Sequence, residues 1–169
     1  MIEEEGIVNK VANSSLVNID LEDYYPKGKR VQIDLTETLF QGLILREKDF
    51  REWIRIHNWE QYRDAYVAVQ CSADAIIPVW SYMLVGAQLE PVAKHVVFGN
   101  LEDLETSLYS EIIANLDIEA WKNQRLIIKG CGNLPVPRAA FLMLTGRLRP
   151  IAKSIMYGEA CSTVPIFKS

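Results

Sequence analysis

The sequence predicts a single α/β domain over residues 1–169, with a mainly parallel sheet, helices on both of its faces and an N-terminal antiparallel hairpin. Three observations carry this. From residue 65 onward, short β-favouring runs alternate with helix-length segments, the signature of repeating β-α units. Those runs are apolar through their centres, with polar residues only at their ends, as strands buried on both faces require. The 169 residues are 49% hydrophobic and 24% charged, a globular balance long enough to bury one core.

The first region, residues 1–35, opens on an acidic Glu3–Glu5 end, followed by one or two helical turns at Ile7–Ala12. Ser15–Leu21 (SLVNIDL) alternates apolar and polar residues as a half-buried strand does, and Val31–Leu35 (VQIDL) alternates again. With a Pro-Gly turn at residues 24–29 between them, the two runs read as a hairpin. Residues 36–64 form a helical connector. Leu39, Phe40, Leu43 and Ile44, then Phe50, Trp53, Ile54 and Ile56, recur at helical spacing in two segments divided near Glu47. His57-Asn58 ends them, and Trp59–Asp64 leads on.

Residues 65–169 carry the β-α units. Strands are expected at Tyr66–Gln70, His95–Phe98, Arg125–Lys129 and Ser154–Tyr157. Helices are expected at Ala75–Leu89, Leu101–Leu116 and Pro137–Leu148, with a short helical piece at Asp117–Asn123. Asp74 reads as a helix cap with Pro78 in the first turn, and Glu102, Asp103 and Glu105 suit the positive end of the next helix. Cys71 to Cys131 spans 60 residues and Cys131 to Cys161 spans 30, matching two and one β-α units. Shared architecture accounts for this spacing without an internal repeat.

Ligands of parallel sheets bind in the crevice outside the carboxyl ends of the strands. Three of the four expected strands lead into a cysteine there: Cys71, Cys131 and Cys161. Converging thiolates suit zinc, iron or an iron–sulfur cluster, with His57, Asp74 or Glu159 as a further ligand. His95 opens its strand and belongs to the opposite edge. No Cys-x-x-Cys pair is present to strengthen the metal reading. A second option is a reactive thiol or persulfide carrier at Cys131, which has glycine on both sides and a helix soon after. A third is a dimerisation module whose apolar Ala75–Leu89 helix meets a second copy. Against all three stands the ordinary fate of free cysteine, a small buried hydrophobe. Trp53, Trp59, Trp80 and Trp121 read as core.

Other classes find no support. The net charge of −4 argues against a nucleic-acid partner, and no phosphate-cradling glycine motif predicts a nucleotide. The fifteen residues Ala75–Leu89 fall short of the roughly 20 that a membrane span needs. The opening MIEEEGIVNK has no secretory pattern, and three cysteines without one suit a reducing compartment, so a cytoplasmic protein is expected.

The segments Asn18–Leu35, Tyr66–Pro78 (YVAVQCSADAIIP), Lys129–Phe141 (KGCGNLPVPRAAF) and Met156–Pro165 (MYGEACSTVP) resemble an uncharacterised family found mainly in Bacteroidetes, a domain of unknown function. The resemblance covers the whole chain and brings no activity or catalytic residue with it. It implies gene neighbours in sulfur-mobilisation iron–sulfur cluster assembly, and hence protein partners from that machinery.

Overall fold

The computed structural model describes residues 16–130 and 132–169, so Glu3–Glu5, the turns expected at Ile7–Ala12 and Cys131 lie outside the described residues. In chain order the described elements are β1 (Leu16–Asp20), β2 (Arg30–Asp34), α1 (Glu47–Ile56), β3 (Tyr66–Gln70), α2 (Val79–Leu89), β4 (His95–Phe98), α3 (Leu101–Asn115), β5 (Arg125–Lys129), α4 (Arg138–Leu148), β6 (Ser154–Glu159) and β7 (Ser162–Lys168). Short 3-10 turns follow β1 and β2 and precede β3 and β5.

The mixed α/β class with mainly parallel sheets is the one observed. One sheet runs β2-β3-β4, all parallel; the other runs β1-β5-β6-β7, with only β7 antiparallel to its neighbour. The N-terminal hairpin is not formed. β1 lies parallel to β5, Leu16 opposite Arg125, and β2 lies parallel to β3, Arg30 opposite Tyr66. Alternation identifies a strand and its faces; it carries nothing about which strand becomes the partner.

Contacts divide the chain into two compact units, Pro26–Tyr109 and residues 1–25 with 110–169. Each repeats one plan. β3, α2 and β4 begin at Tyr66, Val79 and His95; β5, α4 and β6 begin 59 residues later at Arg125, Arg138 and Ser154. At the same offset Pro78/Pro137, Leu89/Leu148, Pro91/Pro150, Ala93/Ala152, Lys94/Lys153 and Gly99/Gly158 are identical. Asp64 and Asn123 both hold φ at 58°, and their amides donate to Val92 O (2.9 Å) and Ile151 O (2.8 Å). This corrects the reading of no internal repeat: the identities are too sparse to stand out, and the conserved backbone turns reveal them.

In the Pro26–Tyr109 unit the sheet is covered on both faces. Val67 and Val69 of β3 join Phe50 and Ile54 of α1 and Val85 and Leu89 of α2 in one core. Tyr66 and Ala68, pointing the other way, pack with Leu104 and Leu108 of α3. Arg30 crosses 75 residues of sequence to bond Glu105, Nε to Oε1 at 2.7 Å and Nη2 to Oε2 at 3.2 Å, with both side chains largely buried.

Three local expectations are corrected. The first helical segment expected after Thr36 is instead a tight turn, in which Phe40 bridges Ile44 around Gln41 (φ 52°) and Gly42 (φ 71°). A left-handed pair cannot continue a helix. α2 starts at Val79 rather than Ala75 because Pro78 drives the residue before it into extended geometry, so Asp74 caps nothing. β7 goes unpredicted because Pro165 demotes its run; the strand tolerates that proline at a sheet edge, beside a register shift at Ile155/Met156.

Candidate functional site

In the unit made of residues 1–25 and 110–169, β1, β5 and β6 run parallel and end on Asp20, Lys129 and Glu159. Register places Asp20 opposite Lys129. Lys129 Nζ lies 3.3 Å from Asp20 Oδ2 and 3.6 Å from Glu159 Oε1. The Asp20 hydrogen bond first, and the Glu159 charge after it, hold the ammonium above the usual lysine range. Asp20 also accepts the Glu22 amide at 3.0 Å, forming the 3-10 turn that carries Glu22 back over the strand ends. The Glu22 carboxylate accepts the amide of Gly132.

These groups, with Gly130, Tyr157 and Gly158, line a polar cavity of about 410 Å³ at the carboxyl edge. The loop entering it requires its glycines for different reasons. Gly130 holds φ at 149°, and an added Cβ would meet Leu21 Cβ at 3.0 Å. At Gly132 an added Cβ would meet Glu22 Oε1 at 2.5 Å. Cys131 stands between these two lining glycines in the chain. A second, mainly apolar cavity of about 570 Å³ shares Tyr157 and runs along α4 past Phe141 and Leu142 to Ile166.

The Pro26–Tyr109 unit carries the counterpart edge. There Asp34 accepts the amides of Thr36 and Ser72, both at 3.0 Å, and Thr36 Oγ1 accepts the Ala73 amide at 3.1 Å. The Ala73–Thr36 bond corresponds to the Gly132–Glu22 bond. Burial opposes charge on Asp34, but the Ser72 and Thr36 hydrogen bonds outweigh it and hold the carboxyl far below its usual range. Cys71 Sγ lies 3.6 Å from Thr36 Oγ1 and 3.9 Å from Ala73 O. Burial, then the neighbouring Cys71 and Asp34, push the Tyr82 hydroxyl upward.

The repeat offset is 59, so Cys71 corresponds to Gly130 and Cys131 to Ser72. The two cysteines occupy adjacent positions of the plan, not the same one. Cys71 is half-buried and belongs to the Pro26–Tyr109 unit. Cys161 is exposed in the two-residue turn between Glu159 and Ser162, the last pair of the β6–β7 hairpin. It belongs to the same unit as the polar cavity, two residues beyond the cavity-lining Glu159. His57 closes α1 among aromatic rings, its Nε2 2.7 Å from the Tyr62 hydroxyl, with burial lowering its pKa. Asp74 is exposed in the segment before α2. His95 opens β4, Nε2 2.9 Å from Ser107 Oγ. Among the described residues no three His, Cys, Asp or Glu side chains come together as a ready ligand set.

Sequence reasoning placed Glu159 near the site but missed Asp20, Glu22 and Lys129. The signal was available for Lys129, which ends a strand whose polarity the β-α alternation implies. Asp20 ends and Glu22 follows a strand that reads as a hairpin arm, so local pattern could not place them at this edge.

Fold and site together define an α/β protein of two repeated units, with a polar, lysine-bearing crevice at the carboxyl edge of one unit, lined in part by Gly130 and Gly132. The chain belongs to DUF2480, a family of proteins of unknown function, whose sequence profile matches residues 5–169. No curated protein and no solved structure matches the chain. Among the described residues no helix is long and apolar enough to cross a membrane.

Proposed function

We propose that this chain is an accessory protein that binds zinc, iron or an iron–sulfur species at the carboxyl edge of the β1-β5-β6 sheet, with Cys131 as the anchoring thiolate. One observation carries the reading: the cavity lining includes Gly130 and Gly132, the chain neighbours of Cys131, and the carboxylate-bearing residues Asp20, Glu22 and Glu159. Thiolate with carboxylate is a donor set that suits zinc and iron. Cys161, in the same unit, is the second thiol of the set. Cys71, His57 and Asp74, the other ligands expected from sequence, belong to the other unit and are secondary in this reading. The gene neighbourhood implied by the resemblance to a Bacteroidetes family favours the same chemistry, a cytoplasmic setting, and iron–sulfur assembly proteins as partners.

Purification without oxygen, followed by metal analysis and an absorption spectrum, tests the reading on the wild type and on Cys131→Ser, Cys161→Ser and Cys71→Ser. Metal held by the wild type and lost in Cys131→Ser is the expected result. A wild type that stays metal-free after reductive loading with zinc or ferrous iron overturns it.

Lys129, which lines the cavity together with the chain neighbours of Cys131, favours a second reading, a thiol enzyme or persulfide carrier with Cys131 as nucleophile, since an ammonium beside a thiol stabilises its thiolate. Its mark would be selective alkylation of Cys131 near neutral pH in metal-free protein.

A further inference from the structure

β4 is the outer strand of its sheet: among the described residues it pairs only with β3. Its counterpart in the repeat, β6, is covered. There β7 runs antiparallel from Ser154 opposite Lys168 to Glu159 opposite Ser162. Among the described residues, the same structural plan thus presents one edge occupied by an antiparallel strand and one without.

The outer side of β4 is built for such pairing. Gly99 donates to Val69 O at 2.9 Å, so the alternation of a parallel ladder turns the amides and carbonyls of Val96 and Phe98 away from β3. Open edges are normally guarded by lysine, proline or a bulge. The strand His-Val-Val-Phe contains none of these. Phe98 on the strand is 73% exposed and lies edge-on to Tyr82 of α2 at 5.1 Å, and α2 itself exposes Val79 (74%) and Met83 (68%). The ends differ in charge. Exposed Lys94 precedes the strand and exposed Glu102 follows it.

We propose that a second copy of this chain covers this edge, β4 pairing antiparallel with the copy's β4 about a twofold axis at Val97. A twofold operation makes the interface self-complementary and requires the antiparallel sense that β7 adopts on β6. Val96 then exchanges backbone hydrogen bonds with the copy's Phe98, and Phe98 with its Val96. The antiparallel sense brings the basic start of each strand beside the acidic stretch that follows the other. The result is one six-stranded sheet, β2-β3-β4 from each copy. This dimer is independent of the metal-binding reading.

Light scattering on the full chain tests it. The wild type is expected at twice the 19.3 kDa of one chain. Val96→Pro removes an outward amide at an edge position where proline is compatible with folding, and is expected to give a monomer with an unchanged circular dichroism spectrum. Lys94→Glu is expected to weaken dimerisation at least about tenfold, and Lys94→Glu with Glu102→Lys to restore it. A wild type that is monomeric at about 100 μM overturns the proposal, since that concentration would populate any dimer tighter than this. So does a folded Val96→Pro variant that remains dimeric, or a dimer lost in Met83→Asp but kept in Val96→Pro, which would place the contact on α2. Should Val96→Pro fail to fold, the charge pair decides: failure of the double exchange to restore the dimer overturns the proposal.

Discussion

Lys129 and Asp20 are register partners at the carboxyl ends of β5 and β1, and their charged groups meet 3.3 Å apart over the polar cavity. The pair fixes a cation in the cavity that Gly130 and Gly132 also line. On the thiol-enzyme reading, Lys129→Met is expected to slow alkylation of Cys131 at neutral pH by about tenfold. Rates measured on metal-free protein by mass spectrometry check this. Because the Lys129 pKa is raised on folding, the pair's contribution to stability is present below the ordinary lysine range and lost as pH rises through the elevated value. Asp20→Asn should shrink that alkaline loss in melts taken between about pH 9 and 12, because the folded pKa then falls towards the unfolded one.

The two glycines of the loop should behave differently. Gly130→Ala places a side chain at φ 149° against Leu21 and is expected to cost about 2 kcal/mol in denaturant unfolding. Gly132→Ala meets only the movable end of Glu22, so its stability cost should stay below about 1 kcal/mol. On the metal-binding reading, displacing Glu22 should also lower metal affinity, which loading with zinc or ferrous iron checks.

Asp34 ties two strand ends together by accepting from Thr36 and Ser72. Its carboxyl is depressed on folding, so its contribution is present above the ordinary aspartate value and lost as pH falls through the folded one. Asp34→Ala is expected to cost about 1 kcal/mol at pH 7, the scale of a lost cap. Unfolding curves should show that difference shrinking as the pH is lowered below about 4.

Two arginine–glutamate pairs should diverge sharply. Arg30–Glu105 has side chains only 13% and 8% exposed, so Glu105→Gln, which leaves the guanidinium buried without its counter-charge, should cost about 3 kcal/mol. Arg55–Glu52 sits in solvent on α1, and Glu52→Gln should leave the melting temperature unchanged. Thermal melts of both variants make the comparison.

The β-α alternation was legible because buried parallel strands write themselves as short apolar runs; β3, β4 and β5 have the bounds the sequence predicts. What local pattern cannot encode is pairing. The alternating stretches at Leu16–Asp20 and Arg30–Asp34 look like two arms of a hairpin, yet each serves as the outer parallel strand of a different sheet. The three-cysteine reading rested on strand polarity, which holds for β3 and β5, but assumed one continuous sheet. Two sheets assign Cys71 to one unit and Cys161 to the other, while the acids and Lys129 at the strand ends, ordinary surface residues by composition, form the cavity. The repeat was hidden because its period of 59 differs by one from the Cys71–Cys131 spacing, so the most conspicuous residues were out of step with it.

X-ray absorption at the metal edge of protein loaded without oxygen reports directly on a metal species anchored by Cys131 at the edge of the β1-β5-β6 sheet. A sulfur shell at about 2.3 Å alongside oxygen at about 2.0–2.2 Å is expected, with the sulfur contribution falling in Cys131→Ser. A shell of nitrogen and oxygen alone, or one that Cys131→Ser leaves unchanged, contradicts it.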